Sequence, residues 1–202
     1  MLWKPKYSIK VLLVAGALFL SIFSTLAFMN MSHSRKLRIE EEWYVRGAIV
    51  LFDDADGHVT TIVADMAPGA FDTSALAHLY EHPFLEYLVL TKTSVTDSDL
   101  SHVKGLRKLK SLGLKDTRIT DSGLAEISNL TNLEFLFVQN TSITDSGVPN
   151  ILKLRSLKEL GIRGTKISQK GLVRLQRGLP TTVIYYTSST KTMQTKITDL
   201  EG

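Results

Sequence analysis

Cysteine is absent from this chain, which excludes a disulfide framework and any thiolate metal site, so the fold has to be held by packing and hydrogen bonding. Also missing are a P-loop, a G-x-G-x-x-G turn and a nucleophile elbow. Aromatic residues make up 8% and charged residues 22% of 202 positions, an ordinary globular balance with room for one domain and appendages. The formal charge is +4, and the basic surplus over residues 85–180 is scattered, without the clustering that nucleic-acid binders show. Nucleic acid is therefore not an expected partner, and neither a cofactor nor a small-molecule substrate is suggested.

One long run lacks charge altogether. Residues 11–29 read VLLVAGALFLSIFSTLAFM, behind Lys4, Lys6 and Lys10 and ahead of Arg35, Lys36 and Arg38. As a helix rising ~1.5 Å per residue it would cover about 28 Å, close to a ~30 Å hydrocarbon core. The expectation is a single-pass signal anchor following a short basic tail (1–10), at the cell membrane with the rest of the protein outside the cytoplasm. Thr25-Leu26-Ala27 offers the alternative of secretion after cleavage.

What the chain does have is a period. LEYLVLTKTSVTDSDL, LKSLGLKDTRITDSGL, LEFLFVQNTSITDSGV and LKELGIRGTKISQKGL open four consecutive units at Leu85, Leu109, Leu133 and Leu157, each 24 residues from the last. A fixed period of this length means a stack of identical supersecondary units, each burying its apolar side against its neighbours. The unit L-x-x-L-x-L-x-x-T followed by (I/V)-T-D-S-G-L resembles the leucine-rich repeat family. Its T-D-x-G-L turn is similar to a subclass found in F-box-type proteins, and the whole chain looks like small bacterial, membrane-anchored repeat proteins of the planctomycete kind. The resemblance implies an α/β, right-handed leucine-rich-repeat solenoid, with parallel strands on the concave face and short helices on the convex face.

The flanks complete this division. After the expected transmembrane helix, residues 30–46 form a linker and short helix with Ile39 and Trp43 on one face, and residues 47–84 form a cap. The cap contains strand-like segments at 48–52 and 58–63 around a turn at 53–57, and a degraded repeat that places Phe71, Leu76 and Leu79 in the core. Residues 85–186 hold the four repeats and a last strand near 181–186. The Ser/Thr/Lys-rich residues 187–202 are expected to be disordered.

Repeat position then assigns duty. Thr93, Thr117, Thr141 and Thr165 should bond the backbone of an adjacent coil. Thr96, Thr120, Thr144 and Ser168 should cap helices, with Asp97, Asp121 and Asp145 in the first turn beside the positive helix end. The second residues, Glu86, Lys110, Glu134 and Lys158, alternate in charge and should pair across strands. Packing does not dictate Tyr87 and Val89, Ser111 and Gly113, Phe135 and Phe137, or Glu159 and Gly161. Bulky apolar residues there alternate with small ones, which predicts two aromatic rows around a shallow trough. Tyr87, Val89, Ser111, Gly113, Phe135, Phe137 and Glu159 are thus the candidate contacts of a protein partner, in a scaffold or adaptor that is not an enzyme.

Two motifs compete with that reading. His78, Glu81 and His82 form H-x-x-E-H, resembling the inverzincin signature of a zinc hydrolase, with Glu159 at a suitable sequence distance. Four coils of ~4.8 Å each would separate Glu159 from the histidines, too far for one ion. Asp54-Ala55-Asp56-Gly57 looks like part of a calcium loop, but Phe52 and Val63 stand at its first and twelfth positions, so the ligand set fails. A passive envelope component with a self-covered apolar face is the remaining alternative.

Overall fold

The computed structural model describes residues 33–53, 57–64 and 71–186. Seven strands form one sheet in chain order: β1 (Ile49–Phe52), β2 (Val59–Val63), β3 (Tyr87–Val89), β4 (Ser111–Gly113), β5 (Phe135–Phe137), β6 (Glu159–Gly161) and β7 (Val183–Tyr185). The first pair is an antiparallel hairpin and every later pair is parallel. From β3 to β7 each residue faces the one 24 positions on, as Tyr87 faces Ser111 and Ser111 faces Phe135. The period of the sequence is thus the register of the sheet. Leu85, Leu88 and Leu90, with their counterparts in later coils, turn inward and are buried, as side-chain alternation along a strand requires.

Helices form the other wall: α1 (His33–Val45), α2 (Asp121–Ile127), α3 (Val148–Ile151) and α4 (Gln169–Gly178), with 3₁₀ segments at Thr73–Glu81 and Asp99–His102. The cap is as expected in outline. Gly47 takes φ 85° and donates to Tyr44 O at 2.9 Å, ending α1, a conformation in which glycine carries no Cβ penalty. Trp43, 2% exposed, is buried beneath the hairpin coil and donates from Nε1 to His82 Nε2 at 3.2 Å. Phe71, Leu76 and Leu79 join the core.

The transmembrane expectation needs correction. Among the described residues no helix is long and apolar enough to cross a membrane. Of the α-helices, α1 is the longest at 13 residues, and it carries Arg35, Lys36, Arg38 and three consecutive glutamates, whereas a span needs about 20 mostly apolar residues. Residues 11–29 lie outside the described residues, as do the turn at 54–56, Pro68-Gly69 and the tail 187–202. The signal anchor, the membrane as partner and the cell-membrane location are therefore not carried further.

The threonine row also differs from expectation. Thr93, Thr117, Thr141 and Thr165 donate to Leu90 O, Leu114 O, Val138 O and Ile162 O at 2.7, 2.6, 2.7 and 2.7 Å. Each bond lies within its own coil, because a threonine side chain is short and reaches only three residues back. It closes the turn made by a left-handed residue, Lys92, Asp116, Asn140 or Gly164, with φ of 58°, 56°, 56° and 73°.

The acids do more than face helix ends. Asp97 accepts from Thr120 N and Oγ1 at 2.7 and 2.6 Å, Asp121 from Thr144 at 2.8 and 2.6 Å, and Asp145 from Ser168 at 2.8 and 2.5 Å. Each carboxylate therefore reaches into the next coil and takes two hydrogen bonds from its capping residue. The hydroxyl in turn accepts from a backbone N–H two or three residues on, Ser122 N for Thr120, Ser146 N for Thr144 and Gly171 N for Ser168. Thr120 and Ser168 thereby cap α2 and α4. Thr96 and Thr144 cap no helix, because their helical segments begin later, after Ser98 and Gly147, without a side-chain cap. A Cβ at Gly123 or Gly147 would come within 2.5 Å of Asp97 Oδ1 or Asp121 Oδ1, and one at Gly171 closer still to Asp145. The glycine of T-D-x-G is the space the previous coil's aspartate occupies.

Charge-assisted hydrogen bonds contribute about 1.5–3 kcal/mol each when buried, and these are partly exposed, so Asp121→Ala is expected to cost roughly 1–3 kcal/mol. Gly147→Ala is expected to cost less in the Asp121→Ala background than alone, since one of its two close contacts is gone. A cycle of denaturant melts checks this, and strict additivity would refute the interlock. Hydrogen bonds from the Ser168 hydroxyl and then its N–H hold Asp145 below the ordinary carboxylate value of 3.8. A depressed folded value means stability complete above that range and lost as the pH falls through it. Asp145→Asn should flatten part of the fall in Tm below about pH 4, and an unchanged acid limb would count against the bond.

Candidate interaction face

Side chains that point away from the core form rows across the strands. One row runs Leu51, Thr61, Tyr87, Ser111, Phe135, Glu159 and Val183; the next runs Ile49, Val63, Val89, Gly113, Phe137, Gly161 and Tyr185. Leu51 is 55% exposed and Tyr87 and Tyr185 are 40% exposed. All seven candidate residues fall on this face, and the hairpin extends both rows toward β1.

The trough is filled. Val89 leans toward Gly113, where a Cβ would stand 3.4 Å from Val89 Cγ1, and Phe137 leans over Gly161, where a Cβ would stand 2.9 Å from its ring. Gly113 and Gly161 are buried as a result, and Val89, Phe135 and Phe137 are half-buried. Glycine in a strand lacks a side chain to pack, and a neighbouring aromatic ring restores that contact. Phe137 thus has a structural duty beside any binding one. Glu159 is engaged too, accepting a hydrogen bond from the Tyr185 hydroxyl; burial first, then that carboxylate, pushes the Tyr185 phenol above its ordinary value.

The second residues pair two by two. Lys110 Nζ lies 2.8 Å from Glu86 Oε2 and Lys158 Nζ lies 2.7 Å from Glu134 Oε2, and the Glu86 bond raises the Lys110 value. Such exposed pairs add little stability, but they take up the second-position charges along that border.

A third row escaped the sequence reading. Thr91 Oγ1 and Gln139 Nε2 both lie beside the Cβ positions of the neighbouring glycines, so the seventh residue of each unit, Thr91, Lys115, Gln139 or Arg163, shares the concave side. The signal was available, since this position continues the alternation of the third and fifth. Beyond it, Lys92, Asp116, Arg118 and Asn140 line a groove of about 440 Å³ along the turns. Asn140 Nδ2 donates to Asp116 Oδ1 at 2.7 Å across coils.

Parallel three-residue strands at constant 24-residue register, a buried leucine ladder and short helices opposite are now in place. The fold is a leucine-rich-repeat solenoid. No family model matches the chain, and no curated protein does. An internalin from Listeria monocytogenes is similar at 25% identity, covering 54% of this chain and 30% of its own, with a TM-score of 0.44. A leucine-rich-repeat protein from Leptospira interrogans is similar at 23%, covering 57% and 34%, with a TM-score of 0.41. The leucine-rich-repeat ectodomain of a receptor kinase from Arabidopsis thaliana is similar at 14%, covering 79% and 94%, with a TM-score of 0.43. The chain spans about a third of the length of the first two. The fold assignment rests on this solenoid's own strands and register; neither the T-D-x-G-L subclass nor a planctomycete kind is reached by these likenesses.

The H-x-x-E-H residues do not converge. They lie on and just after the 3₁₀ segment Thr73–Glu81, whose three residues per turn put the first and fifth residues about 120° apart, where an α-helix would bring them onto one face. His78 Nδ1 meets Glu81 Oε1 at 3.1 Å on the surface, and His82 is buried against Trp43. Glu81 is held below its ordinary value by the His78 hydrogen bond. Among the described residues, no three His, Asp or Glu are grouped to hold a metal ion.

His78→Ala is expected to change stability by less than about 0.5 kcal/mol, as surface changes do, whereas His82→Ala should cost several times that by leaving the buried Trp43 N–H unpaired. Thermal melts with and without zinc check it. Equal stabilisation of the wild type by zinc, lost in both variants, would restore the metal reading.

Proposed function

We propose that this solenoid is a non-catalytic interaction module, a scaffold or adaptor that binds another protein through its concave face. The observation that carries the reading is the pair of outward rows, with Leu51, Tyr87 and Tyr185 exposed on a rigid seven-stranded sheet. Large apolar side chains presented on a fixed frame supply contact area at little entropic cost. Tyr87, Val89, Ser111, Gly113, Phe135, Phe137 and Glu159 make up the proposed contact surface, with Tyr87 and Phe135 as its aromatic anchors. The motif at residues 119–124 keeps the T-D-x-G-L resemblance as part of this reading, as a likeness of coil type.

A second reading has one observation in its favour: Phe137 lies over Gly161, so packing accounts for part of the apolar face. On that reading the protein is a passive structural component.

Ser111→Arg, at the half-buried centre of the first row, combined with Tyr87→Arg, separates the two. The wild type should retain a protein partner from cell extract, the concave variant should retain none of it, and Lys153→Glu on the helical side should behave as the wild type. Identical retention by wild type and concave variant would sink the concave-face reading. No retention by the wild type would favour the passive one.

A further inference from the structure

Cations border the face on both sides, but they are engaged differently. At the border where strands begin, Lys110 and Lys158 are taken up by Glu86 and Glu134, Lys108 lies over the Phe84 ring and Arg155 donates to Gly178 O. At the border where strands end, Lys92, Lys115, Arg118, Arg163 and Lys166 stand in the four turns against the single carboxylate of Asp116. Asp116 is itself engaged, by Asn140 at 2.7 Å and by Lys115 at 3.7 Å. Lys92, Arg118 and Arg163 have no ion-pair partner among the described residues.

Two of these cations are aligned with the apolar rows, Arg163 without an ion-pair partner among the described residues and Lys115 paired with Asp116. Lys115 and Arg163 occupy the seventh position, two residues along the strand from Gly113 and Gly161, which is ~6.6 Å at the strand rise. They are two strands apart, ~9.6 Å, with Gln139 between them. The face therefore runs from a border of paired lysines, through Tyr87 and Phe135, to a strip of positive charge beside the groove at Lys92 and Arg118.

We propose that the concave face takes an extended, acidic segment of another protein, laid across the strands with its carboxylates on Lys115, Arg163 and the adjoining turns and its apolar side chains on Tyr87 and Phe135. The proposal rests on the concave-face reading above and adds the chemistry of the partner. Opposite charges brought together at such a border raise the encounter rate and fix the direction in which a segment lies. Nucleic acid fits less well. Glu159 stands on the face itself, among the third-position residues that a phosphate backbone would cross, and Glu86 and Glu134 already hold Lys110 and Lys158 at the border where strands begin.

The test is fluorescence anisotropy with short labelled peptides alternating tyrosine with glutamate, glutamine or lysine, and with a single-stranded DNA oligonucleotide. The glutamate peptide should bind about tenfold or more tighter than the glutamine peptide, a difference of ~1.4 kcal/mol, and the lysine peptide weakest. Lys115→Glu with Arg163→Glu should remove that preference without moving the thermal melt. The preference should also shrink as salt brings the screening length to ~10 Å and below. Equal binding of glutamate and glutamine peptides, no binding of the glutamate peptide, or retention of the preference in the double variant would overturn the acidic partner. DNA binding tighter than the glutamate peptide and lost in the same variant would overturn it in favour of a nucleic acid. If Ser111→Arg leaves peptide binding untouched, the concave-face reading falls with it; if Ser111→Arg abolishes binding while the charge variants do nothing, only the acidic chemistry falls.

Discussion

Each coil of this solenoid is fastened to the next by a carboxylate that crosses between them, and much else in the repeat follows from where that carboxylate goes. Asp97, Asp121 and Asp145 each take an O–H and an N–H from the capping residue one coil on. The same hydroxyl accepts from a backbone N–H two or three residues on, which caps α2 and α4. A Thr or Ser there is required as donor and acceptor at once, and the glycine three residues later is required because the aspartate fills the volume a Cβ would need. Strand pairing sets the spacing of the coils at one side of the solenoid; this interlock sets it at the other.

The exceptions follow the same rule. The first unit has Asp99 where the later ones have glycine, and residue 73, one period before Asp97, is threonine. Among the described residues no carboxylate arrives from upstream, so the glycine's space is free, and Asp99 uses it to accept from Thr96 N and Oγ1 at 2.8 and 2.7 Å. The coil supplies from within itself what its neighbour does not. In the last unit Gln169 stands where the others have aspartate, and β7 follows as a bare strand with no capping turn of its own among the described residues. These two departures read as sequence noise until the bonds are drawn, and then they mark the two ends of one ladder.

That contrast shows what was legible in the sequence. Register, core and the outward rows are properties of a single period, and Leu88 facing Leu112 or Tyr87 facing Ser111 follows from counting. The aspartates misled because an acid at the start of a helix has a sufficient local explanation, the helix dipole, and nothing in one unit says that it bonds the next. Tilt is invisible for the same reason. Alternation places Val89 with Gly113 and Phe137 with Gly161 on one face, but only the packed strands show that Val89 lies against Gly113 in the expected trough and that the Phe137 ring leans over Gly161. For H-x-x-E-H the spacing suited an α-helix, and the 3₁₀ winding of Thr73–Glu81 changed which residues share a face.

The concave face inherits its chemistry from this division of labour. Because leucines, threonines and aspartates carry the stacking, the third, fifth and seventh positions of each unit are free to vary, and they do so differently. Glu159 apart, the third and fifth stay apolar or small, partly because glycines there need a neighbour to cover them. At the seventh, Thr91 and Gln139 lie against those glycines, whereas Lys115 and Arg163 are both cations, two strands apart, beside turns that add Lys92 and Arg118. Solubility alone would be served by charge of either sign on either border. Each second-position lysine is held by a glutamate, whereas Lys92, Arg118 and Arg163 have no ion-pair partner among the described residues, so cations open to an incoming carboxylate stand beside the apolar rows.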